Sequence, residues 1–481
     1  MSRAPLPLKL VPDDGAMYAS APKVYPHEVP GRFAHLRKLA AVVLLGIFYG
    51  LPWMEWNGAQ AVLFDLPARK FHLFGLVLWP QDFPYLAALL VMAGLALFFF
   101  TALAGRLWCG YACPQTVWTE AFLWIEQRVE GTRNQRMKLD AAPWTARKLG
   151  IKATKHVLWL VLALWTGFTF VGFFTPIASL GSALLEFRAS GWELFWLSFY
   201  AFATWGNAGF LREQVCKYMC PYARFQGSMF DRDTLLIAYD EKRGEPRGRS
   251  KRAVAARSAE AARQIAEPHP LPSPASRGGG VEVGLQPTQE LIEAGDCIDC
   301  NLCVQVCPTG IDIRNGLQYD CIACGACIDA CDSVMDKLAR PRGLIRYTTQ
   351  RSLAGAATRV LRPRVLIYGT LLATILGAWT WSLATRVPLL VDVLRDRNAL
   401  YRIASDGVVE NAYTLKVMNK DVAPHRYAIA LAQGDGLAIA GAPLVAEVPA
   451  GGMANVAVTL RAQPGGPSLR NVEWRVQAEE D

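Results

Sequence analysis

The chain has 481 residues, of which 52% are apolar and only 19% charged, with 15 tryptophans and a net charge of +9. That balance is too apolar and too aromatic for a disordered chain. Long uncharged runs beside arginine-dense stretches exclude a water-soluble globular protein. The positive charge flanks the apolar runs, and no helix-turn-helix, RNP or zinc-finger pattern is present, so nucleic acid is not an expected partner.

Residues 1–37 are polar and Pro-rich and are expected to form a cytoplasmic segment without a cleavable signal. A membrane domain is expected over 38–242, with spans near 39–54, 85–103, 157–177 and 194–211, and a fifth span over 365–385. The first is short and is extended by snorkelling of Arg37 and Lys38. Phe71–Trp79 is apolar but too short to cross, and reads as interfacial. The loop between the second and third spans carries Arg106, Arg128, Arg133, Arg136, Lys138, Arg147, Lys148, Lys152 and Lys155, whereas the next carries only Arg188. The positive-inside rule therefore places the N-terminus, the second loop and 212–364 in the cytoplasm, and the tail outside.

All twelve cysteines fall into four motifs. Cys109-Gly-Tyr-Ala-Cys113-Pro and Cys216-Lys-Tyr-Met-Cys220-Pro each follow an outside-to-inside span, an internal repeat of span plus C-x-Y-x-C-P. In a continuing helix both sulfurs of a pair would share a face, but the proline biases the second Cys away from the helix. A close thiolate pair is a soft ligand set suited to Cu(I), and it can also cycle through a disulfide. The two pairs could form one four-sulfur site or two separate ones; four buried structural cysteines are the bland alternative. Tyr111 and Tyr218 serve equally well as interfacial anchors. His156, at the mouth of the third span, is either a ligand at that depth or an interfacial residue.

Residues 243–290 begin with a turn, Arg243-Gly-Glu-Pro-Arg247-Gly, expected to tether to headgroups or to the second loop. They continue as an Arg-, Ala-, Pro- and Gly-rich linker. Over 291–345 come Cys297-x2-Cys300-x2-Cys303-x3-Cys307-Pro and Cys321-x2-Cys324-x2-Cys327-x3-Cys331, the bacterial ferredoxin pattern for two 4Fe–4S clusters. The fourth Cys of each run ligates the other cluster, so one cluster takes Cys297, Cys300, Cys303 and Cys331, and the other Cys321, Cys324, Cys327 and Cys307. A disulfide framework conflicts with a cytoplasmic setting, and zinc sites use paired CxxC units. Asp296, Asp299, Asp312, Asp320, Asp329 and Asp332 around these runs read as a solvated face. Residues 390–481 alternate in short strands, 413–417, 427–431, 454–460 and 472–476, as in a small Ig-like β-sandwich. The whole is expected to be a multi-domain integral membrane protein. It combines an α-helical membrane domain of about five spans, a two-cluster ferredoxin-like α+β module and that sandwich.

The stretches WNGAQAVLFDLPARKFHLFGL, GRLWCGYACPQTVWTE, TGFTFVGFFTPI, LREQVCKYMCPYARFQ, YDEKRGEPRG, GLIRYTT, LRDRNALYRI and YTLKVMNK, with the paired cluster runs, resemble the FixG/RdxA/CcoG family of cytochrome c oxidase accessory proteins. The resemblance runs from about Arg32 to the end, and only the long linker departs from the family pattern. It implies a multi-pass protein of the bacterial inner membrane, with the ferredoxin module cytoplasmic and the C-terminal domain periplasmic. It further implies reduction of Cu(II) to Cu(I) at Cys109, Cys113, Cys216 and Cys220 for assembly of a cbb-type oxidase. The implied partners are the membrane, copper ions, a copper chaperone, the oxidase subunits or assembly factors, an electron donor the sequence does not name, and a second copy of the chain. A shorter resemblance, lacking the Ig-like tail, is to NapH-type quinol dehydrogenases, and implies a quinol-oxidising relay. A scaffold that holds copper without turnover is the third reading.

Overall fold

The computed structural model describes residues 23–248, 295–462 without 398, 400, 422, 434–435 and 442–443, and 471–479. The expected linker from residue 249 on, and residues 1–22 of the N-terminal segment, lie outside the described residues.

Helix α1 covers Arg32–Gly50 and starts before its apolar run does. Its first turn is held by the Asp329 carboxylate, which accepts from the backbone N–H of Phe33 (3.2 Å) and Ala34 (2.8 Å), so orphan donors and helix dipole meet a buried anion. The next segment forms an antiparallel sheet of β1 (Val62–Asp65), β2 (Lys70–Leu73) and β3 (Leu76–Leu78). The apolar piece expected to lie on the interface is thus mostly β2 and β3, whose pairing satisfies backbone groups that an isolated apolar segment would leave exposed.

Helix α2 (Phe83–Ala104) is followed by α3 (Pro114–Glu130) and α4 (Ala146–Val171). The helix α4 starts eleven residues ahead of the expected span because its basic first turns are neutralised. Lys152 pairs with Glu130 (2.9 Å) and Asp140 (2.5 Å), and Lys155 with Glu130 (2.9 Å). Helix α5 (Gly191–Thr204) starts with Ser190 and Glu193 capping each other and continues as a wide π-helical segment over Trp205–Leu211. Among the described residues four helical stretches, Arg32–Trp53, Pro80–Ala104, Ala146–Val171 and Pro363–Ala384, are long and apolar enough to cross a bilayer. The fourth expected span, 194–211, is α5 with its π-helical extension, packed along α4.

The iron–sulfur module pairs β4 (Leu236–Tyr239) with β5 (Ile345–Thr348) and packs α6 (Ala326–Lys337) against them. Its core is Ile237, Tyr239, Ile313, Ile328, Met335, Leu344 and Ile345 around the cysteines. Helix α7 (Pro363–Ala384) then returns along α2, with the Trp379 indole donating to the Tyr85 carbonyl (3.1 Å).

The tail is a sandwich of two antiparallel sheets. One contains β6 (Leu389–Arg395), β7 (Arg402–Ile403), β8 (Val409–Asn419), β10 (Leu437–Ile439) and β12 (Met453–Ala462); the other contains β9 (His425–Gln433), β11 (Leu444–Val448) and β13 (Glu473–Ala478). Leu415, Val417 and Val458 of one sheet face Tyr427, Ile429, Ala446 and Val448 of the other across the core, the period-two signature of sheets buried on one face. Sequence patterning missed β6, β7, β10 and β11, where the alternation is weak or short.

The sandwich docks on the β1–β3 sheet through Met418 against Val77 and Trp79. Lys420 pairs with Asp82 at 2.8 Å, both side chains 6% exposed. The iron–sulfur module meets the start of α1 and the chain beyond α2, so the two domains sit at opposite ends of the helices. Replacing Asp82 by Ala strands the Lys420 ammonium, an expected loss of about 3–5 kcal/mol from the docked state. Limited proteolysis should then release the C-terminal domain earlier than in wild type; unchanged digestion would show the pair to be dispensable.

Candidate functional site: two cysteine-lined cavities beside a four-thiol seam

The two ferredoxin runs share one backbone device. Asp299 (φ 54°) and Asn301 (φ 57°) in the first run match Ala323 (φ 53°) and Gly325 (φ 76°) in the second, two and four residues after the leading Cys. Left-handed residues at alternate positions curl the chain into a nest that turns successive N–H groups inward, a concavity suited to an anionic core. One cavity is lined by Cys297, Cys300, Cys303 and Cys331, with Tyr239, Met335 and Leu344. The other is lined by Cys307, Cys321, Cys324 and Cys327, with Cys303, Ile237 and Ile313. Among the described residues no three His, Cys, Asp or Glu side chains converge as on a single ion. Burial pushes the Cys321 and Cys331 thiols up to about 12. Such thiolates form only against compensating cations, and four thiols of the ferredoxin spacing on each cavity fit iron–sulfur ligation. Two 4Fe–4S clusters are the cofactors of this module, and these eight cysteines are the residues that would hold them.

The other four cysteines sit where two helices break in the same way. Four residues before Cys109, Gly105 ends α2 at φ 55°, ψ −118°; four residues before Cys216, Arg212 ends the π-helical segment at φ 41°, ψ −110°. Cys109 lies on a short helical turn and Cys216 on a π-helical one. Cys113 and Cys220 are both extended and both cap a new helix whose first residue is proline, as the residue before proline requires. The halves interlock. Gln115 donates to the carbonyls of Asn207 (2.9 Å) and Arg212 (3.1 Å) in the second repeat. Tyr222, its counterpart after the second motif, reaches Leu97 (3.3 Å) and Thr101 (2.7 Å) in the first.

This exchange gathers the four thiols. Cys109 is within electrostatic reach of Cys113, Cys216 and Cys220, and Cys216 of Cys113 and Cys220. The Cys109 thiol donates to Oε1 of fully buried Gln226 at 3.3 Å. Burial, reinforced by the neighbouring thiols, pushes Cys109 up to about 12 and Cys216 up to about 11. Among the described residues the cysteines are free thiols.

The iron–sulfur module is pressed onto this site. A Cβ on Gly110, inside the first motif, would stand 2.8 Å from the carbonyl oxygens of Ile322 and Ala323 in the second cluster run. Tyr111 donates to the Cys324 carbonyl (3.3 Å), Tyr347 to that of Ala323 (2.5 Å), and Arg37 to that of Cys324 (2.9 Å). Tyr111 is therefore a docking residue and not a membrane anchor. Arg106, 4% exposed, donates to the carbonyls of Tyr319 and Ala223 and stands within electrostatic reach of Cys109, Cys216 and Cys321. It places one buried cation between the thiols and a cluster run. Lys217, inside the second motif, pairs with Asp320 at 3.6 Å.

Several expected roles change. His156 is packed among Trp159, Trp205 and Phe210, an aromatic setting rather than a ligand cluster. The acidic residues of the module are staples: Asp299 and Asp312 pair with Arg314, Asp296 with Arg243, and Asp329 caps α1. Arg243 reaches Asp296 and the carbonyls of Pro341 and Arg342, all within the module, not headgroups or the second loop. Sequence reasoning missed Gln115, Gln226 and Arg106 as parts of the site. Superposing the two motifs would have flagged Gln115, the polar counterpart of Tyr222, but nothing local marks Gln226.

Family models match a 4Fe-4S binding domain at 85–133, a 4Fe-4S dicluster domain at 211–269 and 282–350, and the Ig-like fold at the C-terminus of FixG at 379–481. With the cavities above, these define a membrane-bound iron–sulfur protein of electron transfer. The chain is 40% identical to Protein RdxB of Cereibacter sphaeroides, over 94% of this chain and 91% of that one. It is 38% identical to the nitrogen fixation protein FixG of Rhizobium meliloti, over 84% and 78%. The ferredoxin-type protein NapH of Haemophilus influenzae is 24% identical over 57% of this chain and 87% of its own length. The chain belongs to the FixG/Rdx family.

Proposed function

We propose that the protein is a cupric reductase of the bacterial inner membrane that supplies Cu(I) for assembly of a cbb-type cytochrome c oxidase. The observation that carries this reading is the direct seating of the four-thiol site on a cluster-ligand loop at Gly110. Clusters, when bound, supply single electrons over a potential range of about −700 to +450 mV. The substrate is Cu(II), which accepts one electron to become Cu(I); Cys109, Cys113, Cys216 and Cys220 are its proposed ligands, and thiolates favour the reduced ion. Arg106 balances thiolate charge between the two centres. In this reading the iron–sulfur module faces the cytoplasm, and the C-terminal domain faces the periplasm toward the oxidase and its assembly factors. A cytoplasmic copper chaperone removes the product.

The test is anaerobic Cu(II) reduction by the pre-reduced, purified protein, followed with a Cu(I)-specific chelator. A Cys113→Ser/Cys220→Ser variant with intact clusters should lose turnover. Equal rates in the two proteins would show adventitious reduction and sink the proposal.

The raised thiols add a pH signature. At pH values far below about 11, Cys109 and Cys216 must each release a proton on binding Cu(I), so affinity rises with pH. With two thiols per ion the rise is about 100-fold per pH unit. Competition titrations at pH 6.5 and 7.5 measure it, and a flat profile would mean that thiolates are not the ligands.

A further inference from the structure

The two cluster runs share one backbone nest, so their inward N–H groups act alike on the two cavities. The charged side chains around them differ. The proximal cavity, with Cys307, Cys321, Cys324 and Cys327, takes its wall from the run that rests on Gly110. Two guanidiniums face that run. Arg37 donates to the Cys324 carbonyl at 2.9 Å. Arg106, buried within electrostatic reach of Cys321, donates to the carbonyls of Tyr319 and Ala223. Neutral carbonyls leave both charges uncancelled. Of the nearby carboxylates, Asp329 is engaged by the N-terminus of α1, Asp320 pairs with Lys217, and Glu120 stands within electrostatic reach of Cys324. The distal cavity, with Cys297, Cys300, Cys303 and Cys331, is set among ion pairs. Arg314 is held by both Asp299 and Asp312 at 2.7 Å, Arg243 and Arg340 share Asp296, and Arg247 pairs with Glu245. Asp332, within electrostatic reach of Cys331, accepts the Gly343 N–H at 2.9 Å. Among these residues carboxylates outnumber cations around the distal cavity and do not around the proximal one.

We infer that Arg37 and Arg106 hold the proximal cluster, when bound, at a higher reduction potential than the distal one, so that an electron in the module comes to rest beside the four-thiol site. Reduction of a 4Fe–4S cluster adds one negative charge. A nearby cation stabilises that charge and raises the potential, whereas a carboxylate lowers it. Burial acts in the opposite sense, and the proximal run is deeply covered: a Cβ on Gly325 would stand 2.7 Å from the Phe33 ring of α1. The same low dielectric strengthens the pull of the two guanidiniums that lie within it. Tyr239 favours the distal cluster, because its hydroxyl, 3.3 Å from the Glu245 carboxylate, also reaches Cys297. One neutral hydroxyl shared between two acceptors counts for less than two full charges. The internal step moves a single electron: the distal cluster is oxidised as the proximal one is reduced. The proximal run is the one seated on Gly110, so the electron waits where the thiol motif begins. With the opposite order it would rest behind the Arg314 pairs, and each transfer to the thiols would begin uphill.

This order of potentials rests on the cluster cavities and stands whether or not copper is the acceptor. The experiment is a mediated anaerobic titration of the full-length holoprotein in detergent with dithionite, each cluster being read by electron paramagnetic resonance. Wild type should show two one-electron waves. Arg106→Gln and Arg37→Gln should each lower the upper wave about tenfold in its one-electron equilibrium, or about 59 mV, and leave the lower wave in place. Arg106→Lys, which keeps the charge, should restore the upper wave. Asp332→Asn should raise the lower wave instead. Iron content shows that both clusters remain; if one glutamine variant loses iron, the other and Asp332→Asn still decide. An upper wave that stays put in both glutamine variants, or a lower wave that moves in its place, would overturn the assignment. Loss of copper turnover with the two waves as described would sink only the copper reading, and copper turnover with waves that ignore the arginines only this one.

Discussion

Replacing Gly110 by valine is expected to slow electron transfer from the clusters to the four-thiol site measurably, because it widens the gap that the electron must cross. The cause is steric. The glycine lies against the carbonyls of Ile322 and Ala323, and its own added Cβ would already overlap both at 2.8 Å. Valine must push the cluster loop away, stretching the Tyr111 and Arg37 contacts to Cys324 that hold it in place. The measurement is the rate at which Cu(II) oxidises pre-reduced clusters, with iron content and spectra confirming that both clusters remain. Gly110→Ala should give an intermediate rate. A valine variant with full cluster content and an unchanged rate would show that electrons leave by another route.

Replacing Glu126 by alanine is expected to cost about 3–5 kcal/mol, because it leaves buried cations without their counter-charge. Glu126 is fully buried on α3, pairs with Arg212, and lies 3.6 Å from Arg136. Arg212 has a second burden. At φ 41° it occupies a left-handed position that costs a non-glycine residue about 1–3 kcal/mol. Its guanidinium is pinned by Glu126, by the Gly209 carbonyl at 2.9 Å, and over the Trp159 ring. In the first repeat glycine fills the matching position at no such cost. Losing Glu126 should therefore lower the melting temperature and also release the turn that carries Cys216. Maleimide labelling of Cys216 in the folded protein should accelerate. An unchanged melting temperature and unchanged labelling would refute the role assigned to this pair.

The cluster runs show what was legible in the chain. Three Cys at two-residue gaps and a fourth after three more encode a local wrap, so Cys297–Cys307 and Cys321–Cys331 could be read with little tertiary knowledge. The left-handed residues behind that wrap were mostly visible: Gly325, Asn301 and Asp299 are residue types that accept such a backbone, whereas Ala323 is not. The spans were legible because twenty apolar residues have few other fates, but their ends were not. The start of α4 depends on Glu130 and Asp140, and the start of α1 on Asp329, nearly three hundred residues away. The small β1–β3 sheet was missed because its stability comes from docking on the sandwich, through Val77 and Trp79.

The sequence by itself determined the chemistry: eight cysteines spaced for two clusters, two repeated thiol pairs beside prolines, a helical membrane domain and a β-rich tail. Those features are written in local spacing and hydrophobic period, which act over a few residues. Only the tertiary structure decided which groups meet. It brought the thiol pairs together by exchanging Gln115 and Tyr222 between the repeats, seated a cluster loop on Gly110, and set Arg37 and Arg106 against that loop. Those meetings depend on close approach between segments one to three hundred residues apart, and no local pattern in the chain carries that information.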